Sequence, residues 1–262
     1  MLKSPGTTAF EVGPVTIYWY GIILALAFLS GLAVSMKIAK EKGEDSDKVL
    51  NLAIFLLIGA VLGARLYFVA FNWDFYRTHL QEIFMTWHGG LSIHGGIIVG
   101  FITGVIYTKL NKLPLLKYAD IIAPGLILGQ SIGRWGNFFN SEAFGAPTNL
   151  PWKLFIPIEN RPPQFINYQY FHPTFLYESL WDFAVFLLLF FVLRKKLQKD
   201  GSVFFLYLIL YSFGRLIIEG IRIDSIYAIF GMPLAQVVSI IFIIIGISGL
   251  YFLKKYTRPA GQ

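Results

Sequence analysis

Seven stretches of about 20 residues, nearly free of charge, run through this chain at roughly 17–36, 49–70, 91–108, 118–137, 174–193, 202–221 and 232–253. A helix rising about 1.5 Å per residue needs about that length to cross a bilayer, where only helices and closed barrels satisfy their own backbones. The runs are too long and too uniformly apolar for barrel strands. They predict an all-α integral membrane protein, one polytopic domain over 1–262 folded as a bundle of seven transmembrane helices. Composition excludes the alternatives: hydrophobic residues make up 56% and charged residues 14%, where a soluble domain carries about a quarter charged. A soluble enzyme, a disordered chain and a nucleic-acid module are ruled out. With no cysteine, the chain has no disulfide, no thiolate metal site and no thiol nucleophile of its own.

The distribution of basic residues predicts direction. Of the 22 Lys and Arg, 14 fall in the segments after the first, third, fifth and seventh runs, 5 on the opposite side, and 3 (Arg65, Arg134 and Arg215) inside runs. The positive-inside bias then places the C-terminus in the cytoplasm and the N-terminus outside. The net charge of +7 is mostly topological and points to no partner. Lys37, Lys40 and Lys42 follow the first run instead of preceding it, unlike a cleaved signal peptide. Residues 138–173, with Pro147, Pro151, Pro157, Pro162 and Pro163, form a long external segment between spans four and five, expected as a loop or small cap.

Glycines recur every four residues (Gly59 and Gly63; Gly96, Gly100 and Gly104; Gly125, Gly129 and Gly133), which predicts close packing of spans two, three and four. Ionisable groups within spans are costly and mark candidate sites. His94, Arg134, Arg65, Arg215, Glu219 and Glu178 all lie within roughly 9 Å of the outer boundary, at the level of Tyr20. Asp120 sits at the cytoplasmic end and Asp182 near mid-span.

Each of these also has a plain structural reading. Arg65 is equally open to snorkelling toward headgroups and to a site role. Tyr211, Arg215 and Glu219 share one helical face, as a structural ion pair or as part of a site; Arg222 is a second partner for Glu219. Arg134 has Gly133 and Gly136 beside it, and Asn137 and Asn140 extend its polar set in steps of three. His94, followed by Gly95 and Gly96, is a candidate acid, base or headgroup contact. Guanidinium suits bidentate phosphate recognition, and the abundant phosphate at this depth belongs to phospholipid. The residues thus predict a protein that draws a lipid phosphate into an outer-leaflet cavity, with no metal or other cofactor and no nucleic acid called for. The reaction stays open at this level, and so does a transporter of an anionic amphiphile. No inverted repeat or paired broken helices support transport.

Gly133–Gly145, reading GRWGNFFNSEAFG, matches G-R-x-G-N-F-x-N-x-E-x-x-G at every fixed position. That pattern is similar to the signature of the prolipoprotein diacylglyceryl transferase family. Further similar segments follow in order: 18–21 (YWYG), 88–96 (HGGLSIHGG), 172–178 (HPTFLYE), 214–219 (GRLIIE), 222–225 (RIDS) and 235–239 (AQVVS). The resemblance covers essentially the whole chain and implies seven spans with the N-terminus outside, in a bacterial cytoplasmic membrane. It implies transfer of diacylglyceryl from phosphatidylglycerol, a bilayer lipid, to the lipobox cysteine at the end of a prolipoprotein signal peptide. A thioether forms and glycerol phosphate leaves. It also implies a headgroup site of Arg134, Asn137, Glu142, Arg215 and Glu219, joined by Tyr20, His94 and Gly145. Asn140 and Tyr211 are added from the polar set and the stripe described above. Arg134, Arg215 and His94 carry the expected chemistry, His94 as general base or headgroup contact. Phe175 departs from the family, where Gln is common, and has no assigned role.

Overall fold

The computed structural model of the chain describes residues 1–225 and 231–256. Arg258, counted above with the cytoplasmic charges, lies outside them. Seven long helices dominate: α1 (Trp19–Glu41), α2 (Ser46–Phe71), α3 (Ile93–Leu110), α4 (Leu115–Phe139), α5 (Thr174–Leu187), α6 (Ser202–Glu219) and α7 (Leu234–Tyr256). α5 runs on through a six-residue π-helical stretch, Leu188–Leu193, to Lys196. Among the described residues, six of these helices are long and apolar enough to cross a membrane, and α4 is not one of them. It has the length, 25 residues, but Lys117, Asp120, Gln130 and Arg134 lower its apolarity. Asp120 is buried for a structural reason: its carboxylate accepts the Gly201 and Phe204 amides at 2.8 Å each, capping α6.

The chain divides into two compact units, Met1–Ser35 with Ala119–Gln262, and Met36–Tyr118. In the second unit the glycine stripes work as expected. An added Cβ on Gly59 would meet the Thr103 side chain at 2.3 Å, and one on Gly63 would meet the Gly95 carbonyl at 2.5 Å, so α2 and α3 pack backbone to backbone. The α4 glycines correct the expectation. Gly125 faces Gly31, its Cβ position 2.2 Å from that carbonyl, and Gly129 faces Ala27 at 3.2 Å, so within the first unit they serve α1. Nothing lies within 4 Å of a Cβ on Gly133.

The polar start of the chain folds, which hydropathy alone does not predict. β1 (Leu2–Lys3) pairs in parallel with β4 (Leu154–Phe155), which pairs with β5 (Tyr170–Phe171); β2 (Thr8–Val12) and β3 (Val15–Tyr18) form an antiparallel hairpin leading into α1. Residues 138–175 contribute Phe138, Phe144, Leu154, Ile156, Phe171 and Phe175 to a small apolar core of their own. Phe175 is fully buried there, 5.1 Å ring to ring from Phe138 and 5.6 Å from Trp135, which accounts for an aromatic at that position.

Candidate active site

In the first unit, three contacts bring α4, α5 and α6 into register. The Ser131 hydroxyl donates to the Ser179 carbonyl at 2.8 Å, and the Trp135 indole donates to the Ser179 hydroxyl at 3.2 Å. The Trp181 indole donates to the Leu210 carbonyl at 2.9 Å, and Gly214 leaves room for that ring, since an added Cβ would sit 2.2 Å from it. One residue along from each of these contacts, the charges meet.

Glu178 is 3% exposed and stands at the centre. Arg134 Nη2 approaches its Oε2 at 2.6 Å, Arg215 Nη1 its Oε1 at 2.6 Å, and Arg222 Nη1 the same oxygen at 3.4 Å. Arg215 Nη2 also reaches Glu219 at 2.7 Å, so the ion pair on the α6 stripe exists. Glu219 accepts from the Ser225 hydroxyl at 2.7 Å, and Arg222 grips Asp224 with two hydrogen bonds of 2.9 and 2.8 Å. Tyr211, on the same stripe, stacks on Tyr207 at 5.9 Å ring to ring. One turn after Glu178 lies Asp182, buried, with its Oδ2 lacking a hydrogen-bond partner among the described residues.

The remaining signature residues gather beside this node. α4 closes on a residue in left-handed conformation, Ser141 (φ 52°), and the Glu142 amide folds back onto the Asn137 carbonyl at 3.0 Å. Ala143, also left-handed (φ 55°), completes the turn. Two such residues without a glycine store backbone strain, and between them they aim Glu142. Its Oε1 accepts from the Asn137 amide at 2.9 Å and from the Asn140 amide at 3.3 Å. The two asparagines therefore serve Glu142, while Arg134 serves Glu178. Tyr20, Asn140 and Glu142 line an open groove of about 850 Å³ with Thr7, Thr16 and Ile17. Gly145 holds no site atom; its amide donates to the His172 carbonyl and the next amide, Ala146, to Ile221. That stitch bridges Gly145 to Arg222, and an added Cβ would meet Ile221 and Thr174 at 2.9 Å.

His94 belongs to the second unit, in the first turn of α3 and 6.2 Å ring to ring from Tyr67. Arg65, in the same unit, is bound throughout by main-chain carbonyls, so neither snorkelling nor phosphate binding describes it. The sequence reading assigns no site role to two members of the arginine node. Glu178 is flagged there by its depth and its place in segment 172–178, and Arg222 as an outer-side charge and a second partner for Glu219. The available signal is the spacing of Arg215, Glu219 and Arg222, which puts all three near one another at the end of α6.

Residues 7–252 match the family model described as prolipoprotein diacylglyceryl transferase. Relatives named phosphatidylglycerol--prolipoprotein diacylglyceryl transferase include one from Nostoc sp., 49% identical over 99% of this chain and 93% of its own length. Another, from Thermosynechococcus vestitus, is 48% identical over 98% of this chain and 96% of its own length. A third, from Acaryochloris marina, is 50% identical over 97% of this chain and 94% of its own length.

Proposed function

The chain belongs to the prolipoprotein diacylglyceryl transferase family, and on that premise we propose how its residues carry out the transfer. The protein is a transferase acting in the first step of bacterial lipoprotein maturation. It moves the diacylglyceryl group of phosphatidylglycerol to a prolipoprotein. The acceptor in this reading is the thiol of a lipobox cysteine. A sulfur–carbon bond forms at the lipid glycerol as the carbon–oxygen bond to phosphate breaks, and glycerol phosphate departs with the electron pair. The thiol proton goes to a base, for which His94 is the candidate, because a free thiol with pKa about 8.5 is a poor nucleophile until ionised.

The observation that carries this reading is the convergence of three arginines on buried Glu178. A guanidinium has five N–H donors, and Glu178 takes one nitrogen of each, anchoring the forks while leaving donors for a second anion. Phosphate changing from diester to monoester gains negative charge at the moment of transfer, so donors already aimed at it lower the barrier. Arg134, held by Glu178, binds the lipid phosphate. Arg215, held between Glu178 and Glu219, stabilises the leaving group. Tyr20, Asn137, Asn140 and Glu142 receive the headgroup glycerol beside the groove, and Gly145 keeps Arg222 in place.

We read α4 as a seventh span, from its length and the charge count. The N-terminus then lies outside, 138–173 forms an external cap, and the protein sits in the cytoplasmic membrane as one polytopic domain. The test uses purified protein in detergent with acyl-labelled phosphatidylglycerol and a cysteine-containing lipobox peptide. Labelled peptide and glycerol phosphate should appear in equal amounts, and prior alkylation of the peptide cysteine should abolish both. Folded protein that yields neither product overturns the reading.

A further inference from the structure

Arg65 is 6% exposed near the end of α2, and all five of its N–H groups are engaged. Nε donates to the Ile83 carbonyl at 2.9 Å, Nη1 to those of Gly89 and Gly90 at 2.6 and 2.9 Å, and Nη2 to those of Glu82 and Met85. The Tyr76 ring lies 5.3 Å from its guanidinium carbon. One side chain thus ties together both arms of the 82–90 connection. Gly89 and Gly90, both in left-handed conformation (φ 87° and 77°), turn the chain toward Arg65 just before α3 begins.

The residues around Arg65 hold the start of α3 as well. The Ser92 amide donates to the Ala64 carbonyl at 3.0 Å. Beyond His94, Gly95 presses on Gly63 so closely that an added Cβ would lie 2.2 Å from the Gly63 carbonyl. The main chain on either side of His94 is therefore fixed by three consecutive residues of α2: Gly63, Ala64 and Arg65. The imidazole is half-buried and has no hydrogen bond to another group among the described residues. Apart from the Tyr67 ring at 6.2 Å, the ring is placed by the main chain that carries it.

We infer that Arg65 is a positioning residue for His94: its five carbonyl contacts fix the turn that leads into α3 and so the main chain that carries the imidazole. The inference rests on the reading of His94 as base. Lysine cannot replace this arginine, because an ammonium offers three donors from one point and cannot bridge both arms. A displacement of about 1 Å at a catalytic group costs up to about 10²-fold in rate.

A double-mutant cycle of Arg65→Lys and His94→Asn, with kcat and lipid KM from the labelled-lipid assay, tests this. Arg65→Lys should lower kcat about tenfold or more while leaving lipid KM unchanged, and should cost nothing further in the His94→Asn background. Equal losses in both backgrounds overturn the inference, because Arg65 then acts elsewhere. Full activity of His94→Asn alone overturns instead the assignment of His94, and with it any role for Arg65 through that residue. Gly90→Ala supplies a second route to the same cycle, since its Cβ would sit 2.6 Å from Arg65 Nη1 and disturb the latch without removing the charge. If Arg65→Lys does not fold, the coupling of Gly90→Ala to His94→Asn decides.

Discussion

Arg65 and Arg134 are both arginines in apolar helices, and they are neutralised in opposite ways. Arg65 is enclosed by five main-chain carbonyls and has no donor left. Arg134 shares Glu178 with Arg215 and Arg222, and its contact with Glu178 takes up part of its fork. A carbonyl cage is dipolar and immobile, so it builds structure. A carboxylate node is ionic and shared, so a second anion can enter its arginine forks without dismantling it. Burial of a charge inside a span marks importance of either kind. The chemistry of the partner tells them apart.

The sharpest way to break this contrast is to replace each arginine by lysine at the node. Arg134→Lys should lower lipid affinity and turnover together, because an ammonium cannot reproduce a planar two-bond contact. Arg215→Lys should spare binding and reduce kcat by about 10²–10³-fold, the effect of losing one donor to developing charge. Lipid Kd and kcat decide, with thermal melting as control. Near-normal turnover in both would mean that point charge suffices. Early melting of both without specific loss would make the node structural, like Arg65.

The converse substitution sharpens the other side. Arg65→Met leaves five carbonyls without their donor and should destabilise the second unit by about 3 kcal/mol, read as early exchange of amide protons across 82–92. A smaller effect is expected from Gly145→Ala. Its Cβ would press on Ile221 and Thr174 at 2.9 Å, an overpacking cost of about 1–3 kcal/mol that also shifts Arg222. Gly133→Ala, with open space at its Cβ, should leave melting and turnover nearly unchanged.

The smallest effect concerns Glu44, between α1 and α2. Lys117 bonds to its carboxylate and Tyr118 donates to it at 2.9 Å, and Lys117 above all holds its pKa below the ordinary value despite partial desolvation. A depressed carboxylate contributes stability that is present above its unfolded pKa and lost as pH falls through the folded one. Melting temperature should therefore decline on acidification below about pH 4.3, the ordinary Glu value. Glu44→Gln should flatten that decline without changing turnover at neutral pH.

The helices were legible because a bilayer imposes a length on them, and each of the seven runs became a helix displaced by only a few residues. The hairpin of Thr8–Val12 and Val15–Tyr18 was not, since a short polar stretch carries no hydropathy signal and its pairing depends on the turn. Within the ion-pair node, Arg134, Arg215 and Glu219 stood out by depth and spacing. The meeting of the arginines on Glu178 was not legible, because it depends on the rotation of three helices set by Ser131, Trp135, Trp181 and Gly214. Arg65 was ambiguous for a similar reason: nothing in 82–90 announces that its carbonyls turn inward.

The order of the chain gives the arginine node a history as well as a geometry. Synthesis proceeds from the N-terminus, and early segments settle first. A nascent chain that has just made Glu178 already holds Arg134, one cation for one anion. Arg215 arrives 37 residues later and Arg222 44 residues later. The stitch that seats Arg222 must also wait, because Ala146 has no Ile221 carbonyl to meet until then. Until α6 is in place Glu178 has Arg134 alone of its three arginines. The node is therefore completed only at the end of biogenesis, when the last arginines reach a carboxylate that has been waiting for them.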